Sequence, residues 1–293
     1  MEKRVLFRPA WLPWVLMAPQ PVIISVFFFW PARQALVQSF QIQDTFGFSN
    51  EWVGFENFKN LFNDPGYLAS FKTTAVFSLL VAVLGIGISL ILAIFADRIV
   101  RGALAYKTAL LLPYAVAPAV AGVLWLFMFS PTLGVLSYAL RQWGYDWNHL
   151  LNSNHAMTLI VSAAVWKQIS YNFLFFLAGL QSIPKSLIEA AAIDGAGPWR
   201  RFWSIQFPLL SPTTFFLLVI NVVYAFFDTF AIIDATTQGG PRRDTSILVY
   251  KVYYDGFKAM DMGGSAAQSV VLMAIVVVLT VVQFRYVEKK VQY

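Results

Sequence analysis

Six apolar stretches, each about as long as one membrane-crossing helix, constrain this chain more than any other feature. An α-helix needs roughly 20 consecutive apolar residues to cross the hydrocarbon core of a bilayer. Only two charged side chains interrupt the six stretches, Lys167 and Asp228. The sequence therefore predicts an all-α membrane protein with one domain and six transmembrane helices. The predicted helices lie at residues 11–30, 73–96, 108–129, 156–180, 212–233 and 265–284.

The composition excludes several other classes of protein. Charged residues make up 12% of the chain, about half their usual share in soluble domains, which argues against a soluble enzyme or a nucleic-acid-binding protein. The chain has 0 cysteines and 2 histidines, so thiolate chemistry is excluded and a multi-histidine metal site is disfavoured. We therefore predict no catalytic, cofactor-binding or metal-binding residues on this chain.

The basic residues are distributed unevenly between the two sides of the predicted membrane. If the N-terminus is inside, the inner segments hold twelve basic and five acidic residues. The outer segments and span ends hold eight basic residues and, with Asp228 counted among them, ten acidic ones. Lysine and arginine accumulate on the cytoplasmic side of membrane proteins, so we expect both termini in the cytoplasm. The inner basic residues are Lys3, Arg4, Arg8, Arg98, Arg101, Lys107, Lys185, Arg200, Arg201, Arg285, Lys289 and Lys290.

The outer segment 41–70 contains a short amphipathic pattern. Phe55, Phe58 and Phe62 recur at helical spacing, and Asp64-Pro65 would end such a helix. Two interpretations remain open, a helix lying on the membrane surface and a surface that meets an external partner.

The inner segment 181–211 predicts two short helices joined by a sharp bend. Ser182 is a candidate N-cap, and Gly195 can end the first helix by adopting the left-handed conformation. Pro198 can begin the second helix and Pro208 can close it. Apolar side chains on a loop in water mark a docking surface, and we expect Phe202, Trp203 and Ile205 to provide one.

The same segment carries a recognisable motif. It reads Glu189-Ala190-Ala191, then Gly195-Ala196 after three residues, then Ile205 and Pro208. This resembles the EAA loop in the permease subunits of bacterial ABC importers, with Phe207 where the pattern usually has leucine. The resemblance implies that the loop docks into a groove of a cytoplasmic ATPase. The residues expected to act in this coupling are Glu189, Ala190, Ala191, Asp194, Gly195, Ala196, Phe202, Ile205 and Pro208.

The chain resembles one branch of that family from end to end, the permease subunits of sn-glycerol-3-phosphate importers. The resemblance rests on the segments LPYAVAPAV at 112–120, VWKQISYNFLFF at 165–176, YAFFDTF at 224–230 and VQFRYVE at 282–288. It implies a type I ABC importer permease fold in the bacterial inner membrane. It also implies a second homologous permease, a dimer of ATPase subunits that bind ATP and Mg²⁺, and a periplasmic substrate-binding protein. The chain itself lacks a Gly-rich phosphate loop ending in Gly-Lys-Ser/Thr, so we expect another chain to hydrolyse the ATP.

Polar residues in the fourth and fifth predicted spans mark a candidate substrate path. Ionisable residues are costly inside a membrane and are usually functional there. Lys167 and Asp228 either pair with each other, or hydrogen-bond the partner permease, or face the path, where Lys167 would attract a substrate phosphate. In related maltose importers the corresponding helices line the path. By that resemblance the candidate residues are Trp166, Lys167, Gln168, Tyr171, Asn172, Asn221, Tyr224 and Asp228.

Other functions remain as alternatives. The resemblance implies sn-glycerol-3-phosphate as the substrate, with glycerophosphodiesters as further candidate substrates. Within the importer class, the runner-up substrate is a neutral sugar or oligosaccharide. An intramembrane enzyme would need clustered histidines or carboxylates, whereas His149 and His155 have Asp146 as their nearest acid in the chain. A channel would not explain a docking loop of the EAA type.

Overall fold

Helices dominate the chain in a computed structural model that describes residues 11–43, 49–98 and 102–287. Several residues behind the predicted sidedness lie outside those ranges, namely Lys3, Arg4, Arg8, Arg101, Lys289 and Lys290. Glu288, the last residue of the segment 282–288, also lies outside them.

Sixteen α-helices and five π-helical turns are formed by the described residues. The helices are α1 (Leu12–Met17), α2 (Pro19–Ile24), α3 (Trp30–Gln38), α4 (Glu56–Asn63), α5 (Pro65–Arg98), α6 (Ala103–Ala115), α7 (Pro118–Met128), α8 (Val135–Gln142), α9 (Ser153–Ser182), α10 (Lys185–Ile193), α11 (Pro198–Arg201), α12 (Phe207–Leu209), α13 (Ser211–Val223), α14 (Phe230–Thr236), α15 (Leu248–Tyr253) and α16 (Met262–Val282). The π-helical turns are Ser25–Phe29, Phe202–Gln206, Tyr224–Asp228, Tyr254–Lys258 and Gln283–Val287.

Long apolar helices account for most of this architecture. Within the described part of the chain, 5 helical runs are long and apolar enough to cross a membrane, and the bent pair α6–α7 raises the number to 6 if it forms one span. The predicted all-α membrane fold is therefore confirmed, apart from one small β-hairpin. Each predicted span overlaps such a run or the bent pair. The first run extends to Gln38 rather than residue 30, and the fifth ends at Asp228 rather than residue 233.

Two compact units make up the chain, and the first comprises the described residues of Met1–Asn63 together with Val252–Val271. It contains the missed hairpin, in which β1 (Gln41–Gln43) pairs antiparallel with β2 (Asn50–Trp52). The side chain of Asn57 in α4 donates hydrogen bonds to the carbonyls of Ser39 and Gln41, at 3.0 and 2.9 Å. These bonds fix α4, the helix that the phenylalanine spacing predicts, against the start of the hairpin.

The second unit comprises Asp64–Lys251 and the described residues of Leu272–Tyr293. Its core lies where α5 and α9 pack together, with Phe173 and Phe176 fully buried. A stripe of small residues on α5 permits this close approach, because small side chains let membrane helices come together. The stripe is Gly85, Ser89, Ala93 and Ala96. The hydroxyl of Ser89 donates to the Ile169 carbonyl of α9, at 3.0 Å.

The third predicted span is broken rather than continuous. The axes of α6 and α7 differ in direction by 102°. Pro113 lies inside α6, whereas Val116 and Ala117 are extended and Pro118 begins α7. The break therefore falls just before Pro118, because a residue that precedes proline disfavours the helical conformation.

Candidate functional site

A cavity of about 320 Å³, lined by both polar and apolar side chains, lies in the second unit beside the break between α6 and α7. Five of the eight predicted path residues line it. The sequence analysis missed three further lining residues, Tyr114, Pro118 and Ile220. Tyr114 and Pro118 belong to the segment 112–120, which contains two prolines, and Ile220 is next to Asn221 in the chain. The complete lining is Tyr114, Pro118, Lys167, Gln168, Tyr171, Ile220, Tyr224 and Asp228.

Lys167 is held at the broken end of α6. Its Nζ donates to the carbonyl of Val116 at 2.8 Å and to that of Tyr114 at 3.3 Å. The last carbonyls of a helix lack partners within the helix and carry partial negative charge. The lysine ammonium donates hydrogen bonds to these carbonyls and balances their partial negative charge. The same ammonium lies 5.6 Å from the centre of the Tyr114 ring, in a cation–π arrangement.

Asp228 ends the π-helical turn Tyr224–Asp228 and is exposed on the cavity. Among the described residues, no ion pair joins the Asp228 carboxylate to Lys167. The two residues therefore place opposite charges in one cavity, and the contacts of Lys167 are with backbone carbonyls instead.

Tyrosines supply half of the remaining lining residues. Tyr224 is buried and donates its hydroxyl to the Ala164 carbonyl at 3.2 Å, which fixes the π-helical turn against α9. The rings of Tyr114 and Tyr171 lie with their centres 6.0 Å apart. Their hydroxyls and ring faces give the cavity a mixed polar and apolar surface, which suits a small hydroxylated ligand.

The other three predicted path residues do not line this cavity. Trp166 packs its ring against Trp125, with centres 6.2 Å apart. The side-chain amides of Asn172 and Asn221 are fully buried and exchange two hydrogen bonds, at 3.1 and 2.8 Å. Gly85 of α5 leaves room for this pair, since a Cβ there would lie 3.3 Å from the Asn221 side-chain oxygen. These two asparagines therefore join helices to one another.

The loop between α9 and α13 forms the second candidate site. Helix α10 ends at a tight turn in which Gly195 has φ 79°. The N–H of Ala196 donates to the Ala191 carbonyl at 2.9 Å, and that of Gly195 donates to the Ala192 carbonyl at 3.1 Å. This pair of bonds is a Schellman motif, and Pro198 then begins α11 as predicted.

Three details of the predicted loop are wrong. Ser182 does not cap α10, because it is the last residue of α9 and donates its hydroxyl to the Gly179 carbonyl at 2.7 Å. Pro208 does not close the second helix but lies inside α12, directly after the π-helical turn Phe202–Gln206. Phe202 is 8% exposed rather than solvent-facing, because its ring packs near Phe207, with centres 6.0 Å apart.

Of the three side chains predicted to form the apolar surface of the loop, Trp203 is exposed and Ile205 is partly exposed. Leu187, Ile193 and Trp199 are exposed along with Trp203, and the Trp199 and Trp203 rings meet edge to face, with centres 5.6 Å apart. We call these four exposed side chains the loop surface. The carboxylate of Glu189 is also exposed, on the same helix as Leu187.

The two histidines occupy a separate place before and at the start of α9. His155 stacks on Trp147 with ring centres 4.7 Å apart, and its Nδ1 accepts the N–H of Asn148 at 3.0 Å. His149 is buried, and burial lowers the pKa of its imidazole. Within the described ranges, no three histidine or carboxylate side chains come together as a metal-binding group.

Comparison with known proteins gives matches over the whole chain. Residues 85–293 match the sequence model of the family described as binding-protein-dependent transport system inner membrane component. The chain is 62% identical to the sn-glycerol-3-phosphate transport system permease protein UgpA of Rhizobium meliloti (strain 1021), over 99% of each chain. It is 60% identical to the protein of the same name from Escherichia coli (strain UTI89 / UPEC), over 100% of this chain and 99% of that protein.

Solved structures share the fold at lower identity. One is a bacterial ABC transporter involved in the import of the acidic polysaccharide alginate, with TM-score 0.82 and 22% identity, over 95% of this chain and 96% of that one. A second is the bacterial alginate ABC transporter in complex with a periplasmic protein bound to alginate pentasaccharide. It has TM-score 0.79 and 22% identity, over 93% of this chain and 92% of that one. These likenesses establish the fold.

Proposed function

This chain belongs to the family of binding-protein-dependent transport system inner membrane components, and we propose that it carries sn-glycerol-3-phosphate across the bacterial inner membrane. It is a multi-pass permease subunit of an ABC importer and is not itself an enzyme. The observation that carries the proposed substrate is identity of 60% or more, over nearly the full length, to permeases named for that substrate.

The cavity beside the break in α6–α7 is the proposed substrate path of this subunit. It combines one ammonium, one carboxylate and three tyrosines around a volume that suits a small ligand. Binding of a glycerol phosphate requires a cation for the phosphate and hydroxyl or amide groups as hydrogen-bond partners for the glycerol. Lys167 supplies the cation, and Gln168, Tyr171 and Tyr224 line the same cavity.

The loop surface is the proposed contact with the ATPase. Membership of the family implies a cytoplasmic ATPase and a periplasmic binding protein as partners. The Schellman turn at Gly195 presents α10 and α11 as two short helices with Ile193 and Trp199 exposed beside the bend. Large apolar side chains of this kind become buried when a partner groove covers them.

The loop also has a direct covalent connection to the path. Lys167 lies on α9, and Ser182 at the end of that helix is separated from α10 by two residues. At a rise of 1.5 Å per residue, Lys167 is about 22 Å from that end. A movement of α10 driven by ATP hydrolysis would therefore be transmitted along one rigid helix to the cavity wall.

Copurification tests the proposed assembly. We expect affinity capture of this chain from its native membrane to yield an ATPase and a second homologous permease. We further expect the ATPase activity of the purified complex to rise when the binding protein is loaded with sn-glycerol-3-phosphate. Capture of this chain without an ATPase, or stimulation by a neutral sugar and not by sn-glycerol-3-phosphate, would contradict the proposal.

A further inference from the structure

We propose that Lys167 is an exchangeable latch, which holds the broken end of α6 through two backbone carbonyls and transfers to the substrate phosphate when it arrives. This inference rests on the proposed function and adds a mechanism by which the cavity selects negative charge. In the structure the ammonium is bound by two backbone carbonyls of the break, those of Tyr114 and Val116.

The latch is suited to exchange because its present partners are neutral. A lysine ammonium has three donors, and two are accounted for by these carbonyls. The ammonium forms charge-assisted hydrogen bonds with either partner, but only a phosphate adds the Coulomb attraction of a full opposite charge. A phosphate that enters the cavity therefore competes well with a carbonyl for the ammonium. The flexible four-carbon stem of lysine allows the ammonium to move between them.

Exchange would have a structural consequence at the break. Val116 and Ala117 are extended, and the axes of α6 and α7 meet at 102°. The terminal carbonyls of α6 lose their cation when the ammonium turns to the phosphate. The break then loses its hydrogen-bonded tie to α9, while ring contacts such as Trp125–Trp166 still join α7 to that helix. The arrival of substrate therefore loosens this part of the cavity wall.

Asp228 sharpens the charge selection. It lines the same cavity as Lys167 with the opposite charge. If Lys167 is neutralised, the Asp228 carboxylate remains and repels a phosphate dianion. Loss of the ammonium should thus weaken transport of a dianion more than transport of a zwitterion.

Uptake by the complete complex in proteoliposomes tests the selection, with sn-glycerol-3-phosphate and the zwitterionic glycerophosphocholine as probes. We expect Lys167→Met to lower the uptake efficiency for sn-glycerol-3-phosphate about tenfold or more relative to glycerophosphocholine. The double variant Lys167→Met/Asp228→Asn should recover part of that ratio. Lys72→Met, which removes an exposed lysine near the start of α5, is the matched control and should leave the ratio unchanged.

Equal loss of both probes in Lys167→Met would overturn the selection, because a lysine that merely fastens the helices would affect every substrate alike. If the unaltered complex takes up glycerophosphocholine but no sn-glycerol-3-phosphate, the proposed function itself fails and the latch falls with it. The two failures are therefore distinguishable in one assay.

Spin labels across the break test the exchange directly. The chain has 0 cysteines, so Leu104→Cys on α6 and Phe127→Cys on α7 can be labelled as a single pair at exposed positions. We expect sn-glycerol-3-phosphate to change the distance distribution between the labels in the complex. Lys167→Met should show the changed distribution without substrate. A distribution that is the same in the unaltered complex without substrate, in the unaltered complex with substrate and in Lys167→Met would overturn the latch.

Discussion

At the residue scale, the stability of the fold depends on individual polar side chains that are buried in the helical core. Asn172 and Asn221 are each fully buried, and their amides exchange two hydrogen bonds while Asn221 also donates to the Leu217 carbonyl at 2.7 Å. Removing one partner leaves a buried amide oxygen unpaired, which costs about 1–3 kcal/mol, whereas replacing both with apolar groups is often nearly neutral. The pair is therefore a coupled unit.

We predict that Asn172→Leu destabilises the purified protein more than the double variant Asn172→Leu/Asn221→Leu does. Thermal unfolding in detergent measures this, and the melting temperature of the single variant should be the lower of the two. Asn154→Leu, at an exposed position on the same helix, serves as control and should change the melting temperature little. A double variant that is less stable than the single one would show that the pair is not coupled in this way.

The sequence identified these side chains but not their partners. Lys167 is a charged residue in an apolar stretch, and an ionisable residue inside a membrane span is by itself enough to suggest a functional site. Its two partners are backbone carbonyls 53 and 51 residues earlier in the chain, and no side-chain pattern marks a carbonyl. Helical spacing places Asn221 on the same face as Asp228. In the structure Asn221 instead contacts Asn172 of α9, whereas Asp228 lines the cavity.

At the scale of elements, the turn at Gly195 connects the two short helices of the loop. Its φ of 79° lies in the left-handed region, and a Cβ there would meet nothing within 4 Å. Glycine is therefore favoured at position 195 by the left-handed backbone conformation, and not because a side chain would clash there. A left-handed conformation costs a non-glycine residue about 1–2 kcal/mol, with β-branched residues the least tolerant.

We predict that Gly195→Val abolishes ATP-driven transport while the protein still inserts into the membrane, and that Gly195→Asn retains most of the activity. Gly197→Val is the matched control, because Gly197 has φ −66° and also has open space around it. Uptake in vesicles, normalised to the amount of protein in the membrane, gives the comparison. Equal uptake by the two valine variants would contradict the conformational role.

Element boundaries were predictable where local chemistry decides them. A glycine at a helix end and a proline at a helix start act through their own backbone, which is why Gly195 and Pro198 were predicted correctly. Pro208 was not, because the π-helical turn Phe202–Gln206 comes before it and the helix continues through Phe207 to Leu209. Each hairpin strand has three residues, too short for an alternating pattern.

At the scale of the whole molecule, the basic residues predict the orientation in the membrane. The prediction of six apolar stretches rests on length and composition, which tertiary context cannot change, so it was the most secure part of the fold. The sidedness rests on loop charges and stays a prediction. It places the loop surface and Lys185 in the cytoplasm, and Trp143 on the periplasmic side.

Cysteine labelling tests that orientation, because the chain has 0 cysteines of its own. We predict that a membrane-impermeant maleimide applied to spheroplasts labels Trp143→Cys directly. Lys185→Cys, also at an exposed position, should react only after the membrane is permeabilised. The reverse pattern would place both termini outside and would be incompatible with a cytoplasmic ATPase at the loop.

ATP-driven accumulation of radiolabelled sn-glycerol-3-phosphate tests the central claim most directly. The complete complex in proteoliposomes, with its binding protein outside and ATP inside, should concentrate the substrate above its external level. Accumulation should stop when ATP is omitted and should not occur with a neutral disaccharide. Accumulation of the disaccharide, with no accumulation of sn-glycerol-3-phosphate under the same conditions, would contradict the account.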